Sequence, residues 1–324
     1  MLASLVVAIA SGVPAAYAQT WQVAPVVSLE STLTDNVNLA PSDQRRSDWV
    51  NQITPAIGFS EAGRHTKLSG SVSLPVLVYA RTSSDNYVAP TANVSGTLEA
   101  VDNFLFVDAS ANVSQQYLNP FGARPNNLAN ATQNRYTAQL YTVSPYIKGL
   151  VSEGTDYELR QASTWSNATG VSAGTNANGS YTNDITAHLA QDPRPGGWRL
   201  EYARSDIRFR GLDTLTGQNR ETTEIARGYL IYRPDPTWQV AAIGGYEDNE
   251  FFQTRESGAV YGASVEWHPD DRTALSARAE HRFFGTGYSA SFDHHTPLTV
   301  WSFKASRDAT SYPQQLATLP GGAN

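Results

Sequence analysis

Cysteine is absent from the 324 residues, which removes disulfides, thiolate metal ligands and thiol nucleophiles at once. The absence fits a route through an oxidising compartment, as it fits many other proteins. Long apolar runs are missing too. Apart from the N-terminus, no stretch approaches the roughly 18 to 20 apolar residues that a membrane helix needs. Hydrophobic residues make up 40% of the chain, and the mean hydropathy is -0.37. These values exclude a helical membrane protein but suit a β-barrel, in which every second strand residue faces water. There is no excess of basic charge either. With 23 Lys plus Arg against 30 Asp plus Glu, the net charge is -7, which argues against a nucleic-acid partner. Signatures of catalysis are equally scarce. No serine stands in a strand-to-helix nucleophile elbow, and no Gly-rich phosphate or dinucleotide loop is found in its strand-to-helix setting.

What is present is alternation. Between Phe104 and Gly149 two alternating segments flank a polar loop. Leu105, Val107, Ala109, Ala111 and Val113 share one side of the first segment, with Asp108, Ser110, Asn112 and Ser114 on the other. A period of two specifies a strand, and the polar side faces water. The pattern recurs along the chain. Val23–Leu29, Ile53–Phe59, Leu68–Val78, Val94–Ala100, Tyr157–Leu159, Ile185–Leu189, Trp198–Tyr202, Ala226–Tyr232, Trp238–Tyr246, Ala259–Trp267, Leu275–Ala279 and Trp301–Ala305 carry it. About fourteen strands result, suited to crossing a membrane when tilted. Ile207 and Phe209 fall out of phase with Trp198, Leu200 and Tyr202, which predicts a β-bulge or the end of a membrane band near Ser205.

Connections alternate in length. Short ones (SEAG, VDN, GLVSEG, DPRPGG, PDP, HPDD) interleave with long polar ones near residues 33–47, 81–87, 118–133, 167–180, 211–221, 250–257 and 285–296. Outer-membrane barrels have short periplasmic turns and long outside loops. The expectation is therefore an all-β, transmembrane antiparallel up-and-down β-barrel of the bacterial outer membrane, closed because lipid tolerates no open strand edge. Tyr (16) and Trp (7) are plentiful enough for aromatic girdles. Residues 1–18 read as a signal peptide, with an apolar stretch from Leu2 to Ala10 and an Ala16-Tyr17-Ala18 cleavage site, although no Lys or Arg precedes Arg45. Residues 19–306 form the barrel, and 307–324 a periplasmic, non-strand tail of a chain that reads as truncated.

No catalytic, metal or cofactor site is assigned, and the chain is not read as an enzyme. Asp293-His294-His295 is the sharpest metal candidate, but strand neighbours point to opposite faces and no third ligand has a recognisable spacing. The polar strand positions are more informative. Lys67, Glu99, Asp108, Glu158, Arg160, Asp184, Arg199, Glu201, Arg227, Glu247, Glu266, Arg278, Glu280, Arg282 and Lys304 are expected to face a lumen. They form either a cross-strand charge ladder or a polar surface for a hydrophilic, saccharide-like ligand. Tyr117, Phe121, Tyr136 and Tyr181 serve either as sugar platforms near the outer rim or as girdle.

The segments LESTLTDNVNL, ITPAIGF, LFVDASANVSQQYLNPFG and YTVSPYIKG resemble the PEP-CTERM system-associated outer-membrane β-barrel proteins, most densely between Glu30 and Gly149. That resemblance implies a barrel encoded beside exopolysaccharide genes, and a longer chain than this one. It carries no catalytic residues. It implies localisation in the outer membrane, where lipid, the barrel-assembly machinery and exopolysaccharide or its export proteins are the partners. The expected role is a polar-lumen channel or scaffold in exopolysaccharide export or assembly. The alternatives are an adhesive surface barrel acting through its loops, or a barrel enzyme acting on lipid or envelope polymer.

Overall fold

The computed structural model describes residues 3–10, 21–117, 119, 121–122, 125, 127–132, 134–169, 179–210, 219–251 and 254–309. The first strands in chain order are β1 (Ala3–Ala10), β2 (Gln22–Thr34), β3 (Asp48–Ala62), β4 (Thr66–Ser73), β5 (Val76–Tyr79), β6 (Tyr87–Val88) and β7 (Thr91–Val101). Next come β8 (Leu105–Tyr117), β9 (Arg135–Ser152), β10 (Thr155–Thr169), β11 (Ser180–Gln191), β12 (Gly196–Phe209) and β13 (Arg220–Asp235). The last are β14 (Trp238–Phe251), β15 (Thr254–Asp270), β16 (Thr273–Arg282), β17 (Gly285–His295) and β18 (Val300–Arg307). All belong to one sheet of antiparallel neighbours in up-and-down order, and there is no α-helix among the described residues.

One crossing is split. β3 pairs with β4 and then with β5; β4 continues to β7, while β5 turns aside to β6. Leu74-Pro75 separates β4 from β5. Proline has no N–H for the ladder, so the strand breaks there. Its carbonyl still accepts from Ala89 N at 2.9 Å. At the opposite end tight turns join the strands. Gly154 (φ 76°) and Asn103 (φ 54°) supply the left-handed backbone that two of them need.

Four sequence expectations change. The first concerns residues 285–296, expected as a loop. They are mostly β17, paired with both β16 and β18. Tyr288, Ala290 and Phe292 lie opposite Ala279, Ala277 and Leu275. Glycines and small residues thin the apolar signal of this strand below the level of its neighbours. The extra crossing reverses β18, so residue 307 lies at the end bearing the long connections, opposite to the end expected for the tail. The second is the loop near 250–257. It contracts to residues 252–253, because β14 reaches Phe251 and β15 starts at Thr254, with Glu250 opposite Arg255. Third, of the two expectations near Ser205 the bulge does not form, whereas the apolar face does give way to charge there, at Arg204 and Asp206. β12 keeps one register along its length against both neighbours. Ile207 is instead buried, on the same face as Arg199 and Glu201. Fourth, eighteen strand segments occur among the described residues against the expected fourteen or so, with Leu68–Val78 divided into β4 and β5 and with β1, β6 and β17 additional.

Ala3–Ala10 lies antiparallel to β2, from Ala3 opposite Leu33 to Ala10 opposite Val26. Residues 11–20, which hold the expected cleavage site, and 310–324, most of the expected tail, lie outside the described residues.

The sheet has two unlike faces. On β12–β15, Leu200, Leu230, Tyr232, Trp238, Val240, Tyr246 and Tyr261 are all exposed on one face. Trp238 and Trp267 are cross-strand partners at the short-turn end, with ring centroids 5.5 Å apart. From Trp238 to Tyr246 is about 27 Å of strand before tilt. Beyond it, on the same face, come Asp248 and Glu250, with Arg204 and Asp206 on β12. Arg204 pairs with Glu224 at 3.2 Å, and Arg255 with Asp248. An apolar band thus ends in aromatics and gives way to charge.

Candidate functional site

The other face collects the charged residues. Cross-strand register sets this: Arg227 lies opposite Glu201, Gly262 opposite Glu280, and Ser264 opposite Arg278. Period-two geometry then places every second residue of these strands on the same side.

Most of the candidates meet there. Arg160 binds Asp108 at 2.8 Å and Glu158 at 2.9 Å, and also donates to Ser144 Oγ at 3.1 Å. Its guanidinium lies 3.7 Å from the Tyr146 ring centroid. Arg199 binds Glu201 at 3.0 Å, stacks over Tyr229 at 4.3 Å, and the Tyr229 hydroxyl donates to Glu201 at 2.7 Å. Arg227 reaches Glu280 at 3.1 Å, and Arg278 approaches Glu280 at 4.0 Å. Glu247, 0% exposed, accepts from Arg282 at 2.7 Å and from Phe283 N at 2.6 Å. Arg282 also meets Asp308 at 3.0 Å. Glu266 accepts from Gln239 at 3.2 Å, and Glu99 faces His65 at 3.6 Å.

Lys67 and Lys304 share this face, opposite Thr97 and Ser291, without an ion pair among the described residues. Asp184 lies on it opposite Ser205. Lys67 and Asp108 line a groove of about 670 Å³ whose other walls are largely serine and threonine. The face is therefore lopsided, with a hydroxyl-rich wall on β3–β9 and an ionic wall on β10–β16. Sequence reading missed Asp308, which lies beyond the last alternating residue, and the aromatics Phe106, Tyr146 and Tyr229. Their polar-side parity was the available signal.

A second feature closes part of the long-loop end. Val37, Val50, Leu77, Tyr79 and Ala129 form a buried cluster against which Tyr87, Leu128 and Ala131 pack. Three connections contribute to it. Ala131 N donates to Val37 O at 2.9 Å, and Asn130 Nδ2 to Asn36 O at 3.1 Å. Tyr87 Oη donates to Leu128 O at 2.7 Å, and Arg135 donates to Tyr87 Oη. Burial pushes the Tyr87 phenol up, against the pull of Arg135. Asp48 accepts from Arg81 N at 3.0 Å and Thr82 N at 2.9 Å, tying the 80–86 segment to β3. This cap joins isolated apolar residues of polar loops, Val37, Leu128, Ala129 and Ala131, to the strand residues Val50, Leu77 and Tyr79, and the loop part has no periodicity to read.

The metal candidate disperses. His294 shares the apolar-side parity of Phe292, and its Nδ1 meets Thr273 Oγ1 at 2.9 Å, whereas Asp293 and His295 have the other parity. No group of three metal-type ligands occurs among the described residues. The aromatic candidates disperse as well. Tyr181 packs on Trp165 at 5.5 Å, Phe121 is exposed, Tyr117 donates to Pro125 O, and Tyr136 lines a cavity under the cap. A Gly-x-Ser-x-Gly string does occur at residues 170–174, outside the described residues. It falls in the chain between β10 and β11. No family model matches the chain, and no curated protein matches it.

Proposed function

We propose that this sheet closes into an outer-membrane β-barrel, with its apolar face against lipid and its charged face around a hydrated interior. The barrel serves exopolysaccharide export or assembly as a channel or scaffold. The observation that carries the membrane reading is the segregation of the two faces. Large apolar side chains such as Leu230 and Val240 are exposed on one side, while carboxylates such as Glu247 and Glu280 are buried on the other. A water-soluble fold does the reverse, since a broad exposed apolar surface favours association or a membrane. A band of about 25 Å flanked by aromatics is the lipid-facing pattern of such barrels. The hydroxyl-rich and ionic walls suit a hydrophilic solute. The link to exopolysaccharide rests on the resemblance across residues 30–149. Planar-bilayer recording with the full-length gene product tests the channel, and deletion of the gene tests the export role. The reading expects stepwise ion conductance and exopolysaccharide retained in the periplasm on deletion. A non-conducting barrel together with normal export contradicts it.

A further inference from the structure

We propose that the cavity beneath the cap is a binding site for a carboxylate-bearing sugar unit. The inference rests on the saccharide reading above for its ligand class and on the cavity for its charge.

The cavity measures about 590 Å³ and lies at the long-loop end, against the outer ends of β8, β9 and β10. That volume is in the range of small-molecule sites. Two arginines line it, Arg46 and Arg135. Arg135 is 9% exposed. Its partners among the described residues are neutral: the Tyr87 hydroxyl, Leu128 O at 3.5 Å and Asn127 O at 3.4 Å. No ion pair involves Arg46 or Arg135 among the described residues. The arginines of the charged face are built otherwise: Arg160, Arg199, Arg227 and Arg282 each hold a carboxylate within 3.2 Å.

A buried guanidinium without a carboxylate is costly to keep. Its fork of donors matches a carboxylate, which it binds through two parallel hydrogen bonds. Asp85 is the one acid on the cavity wall, and it forms no ion pair among the described residues, so cations outnumber carboxylates there. Backbone bonds fix Arg46 in place: its N–H donates to Asn38 Oδ1 at 3.2 Å and its carbonyl accepts from Val37 N at 2.8 Å. Tyr136 adds an aromatic surface on the same wall, the kind of face that carries the C–H side of a sugar ring. Volume, aromatic wall and surplus cation together favour an acidic sugar over a bare inorganic anion.

Calorimetry on the intact protein in detergent micelles tests this, with a glucuronate-containing oligosaccharide, a neutral oligosaccharide of equal length, and inorganic phosphate. The acidic oligosaccharide is expected to bind at least about tenfold more tightly than either other probe, the scale of one charge-assisted contact. Arg46→Gln and Arg135→Gln should each remove about that factor. Arg46 is exposed, so its substitution tests the idea even where Arg135→Gln fails to fold. Equal binding of acidic and neutral oligosaccharides, a preference for phosphate, or an acidic preference untouched by Arg46→Gln overturns the proposal. Conductance and export measured on the same preparations and strains separate its failure from that of the channel reading.

Discussion

Arg227 on β13 and Glu280 on β16 form an ion pair at 3.1 Å across two intervening strands. On a flat sheet their backbones would stand about 14 Å apart, too far for comfortable contact. The strands between present Gly245 and Gly262 on the same face, opposite Arg227 and Glu280 respectively. A Cβ at Gly245 would lie 2.1 Å from Ala226 O, and one at Gly262 would lie 2.1 Å from Ala279 O. The sheet therefore bends toward its charged face at two glycines, and the ion pair spans the bend. One level nearer the long-loop end, Glu247 on β14 and Arg282 on β16 pair across β15 alone.

Alanine at either glycine has nowhere to go, because the obstructing atoms are backbone. Gly245→Ala and Gly262→Ala should each cost about 1 to 3 kcal/mol. Gly244→Ala, where nothing lies within 4 Å, should stay within about 0.5 kcal/mol of the parent. Urea unfolding of the protein in lipid vesicles, followed by tryptophan fluorescence, measures all three.

The ion pair itself is buried at both ends, with Arg227 12% and Glu280 4% exposed at the side chain. Glu280→Ala should destabilise by about 3 to 5 kcal/mol, because it leaves Arg227 buried and unpaired. The double substitution Arg227→Met, Glu280→Leu should recover most of that loss. A double variant as unstable as the single one would show that the bend depends on the charges.

The cap should loosen independently of the strands. Leu77→Ala removes a side chain that is fully buried between loops and strand, with a local cost of about 2 to 5 kcal/mol. Asp48→Ala releases the Arg81 and Thr82 amides. Both variants should speed tryptic cleavage after Arg45 and Arg46, in the 35–47 connection, while the thermal unfolding of the strands changes little. Unchanged cleavage would mean that the cap cluster does not hold that loop.

Alternation made the two faces legible from the residues alone, because each strand needs only its own composition to declare them. Strand β14 is the clear case, with Trp238, Val240 and Tyr246 on one side and Gln239 and Glu247 on the other. The loops expected at 250–257 and 285–296 share a cause: charged and small residues, taken by composition alone, look like loop. Asp248, Glu250 and Arg255 extend β14 and β15 past the apolar band, where a strand has no need of apolar residues. Gly285 and Gly287 begin a strand in which small residues interrupt the larger Tyr288 and Phe292. Ile207 is apolar on the charged face, and parity could have placed it there without a bulge. Parity identifies the candidate charged residues, whereas the pairing of Arg227 with Glu280 across β14 and β15 depends on the curvature at Gly245 and Gly262. The cap was illegible because Val37, Leu77 and Ala129 come together only in three dimensions.

The central claim is that the apolar face meets lipid and the charged face meets water. The absence of native cysteine permits a direct test with single cysteines in isolated outer membranes. Leu230→Cys and Val240→Cys stand for the apolar face, and Thr186→Cys and Ser264→Cys for the charged face. The account predicts that a charged, water-soluble maleimide labels Cys at the second pair and leaves the first pair unlabelled until detergent is added. Ready labelling at positions 230 and 240 in intact membranes would contradict it.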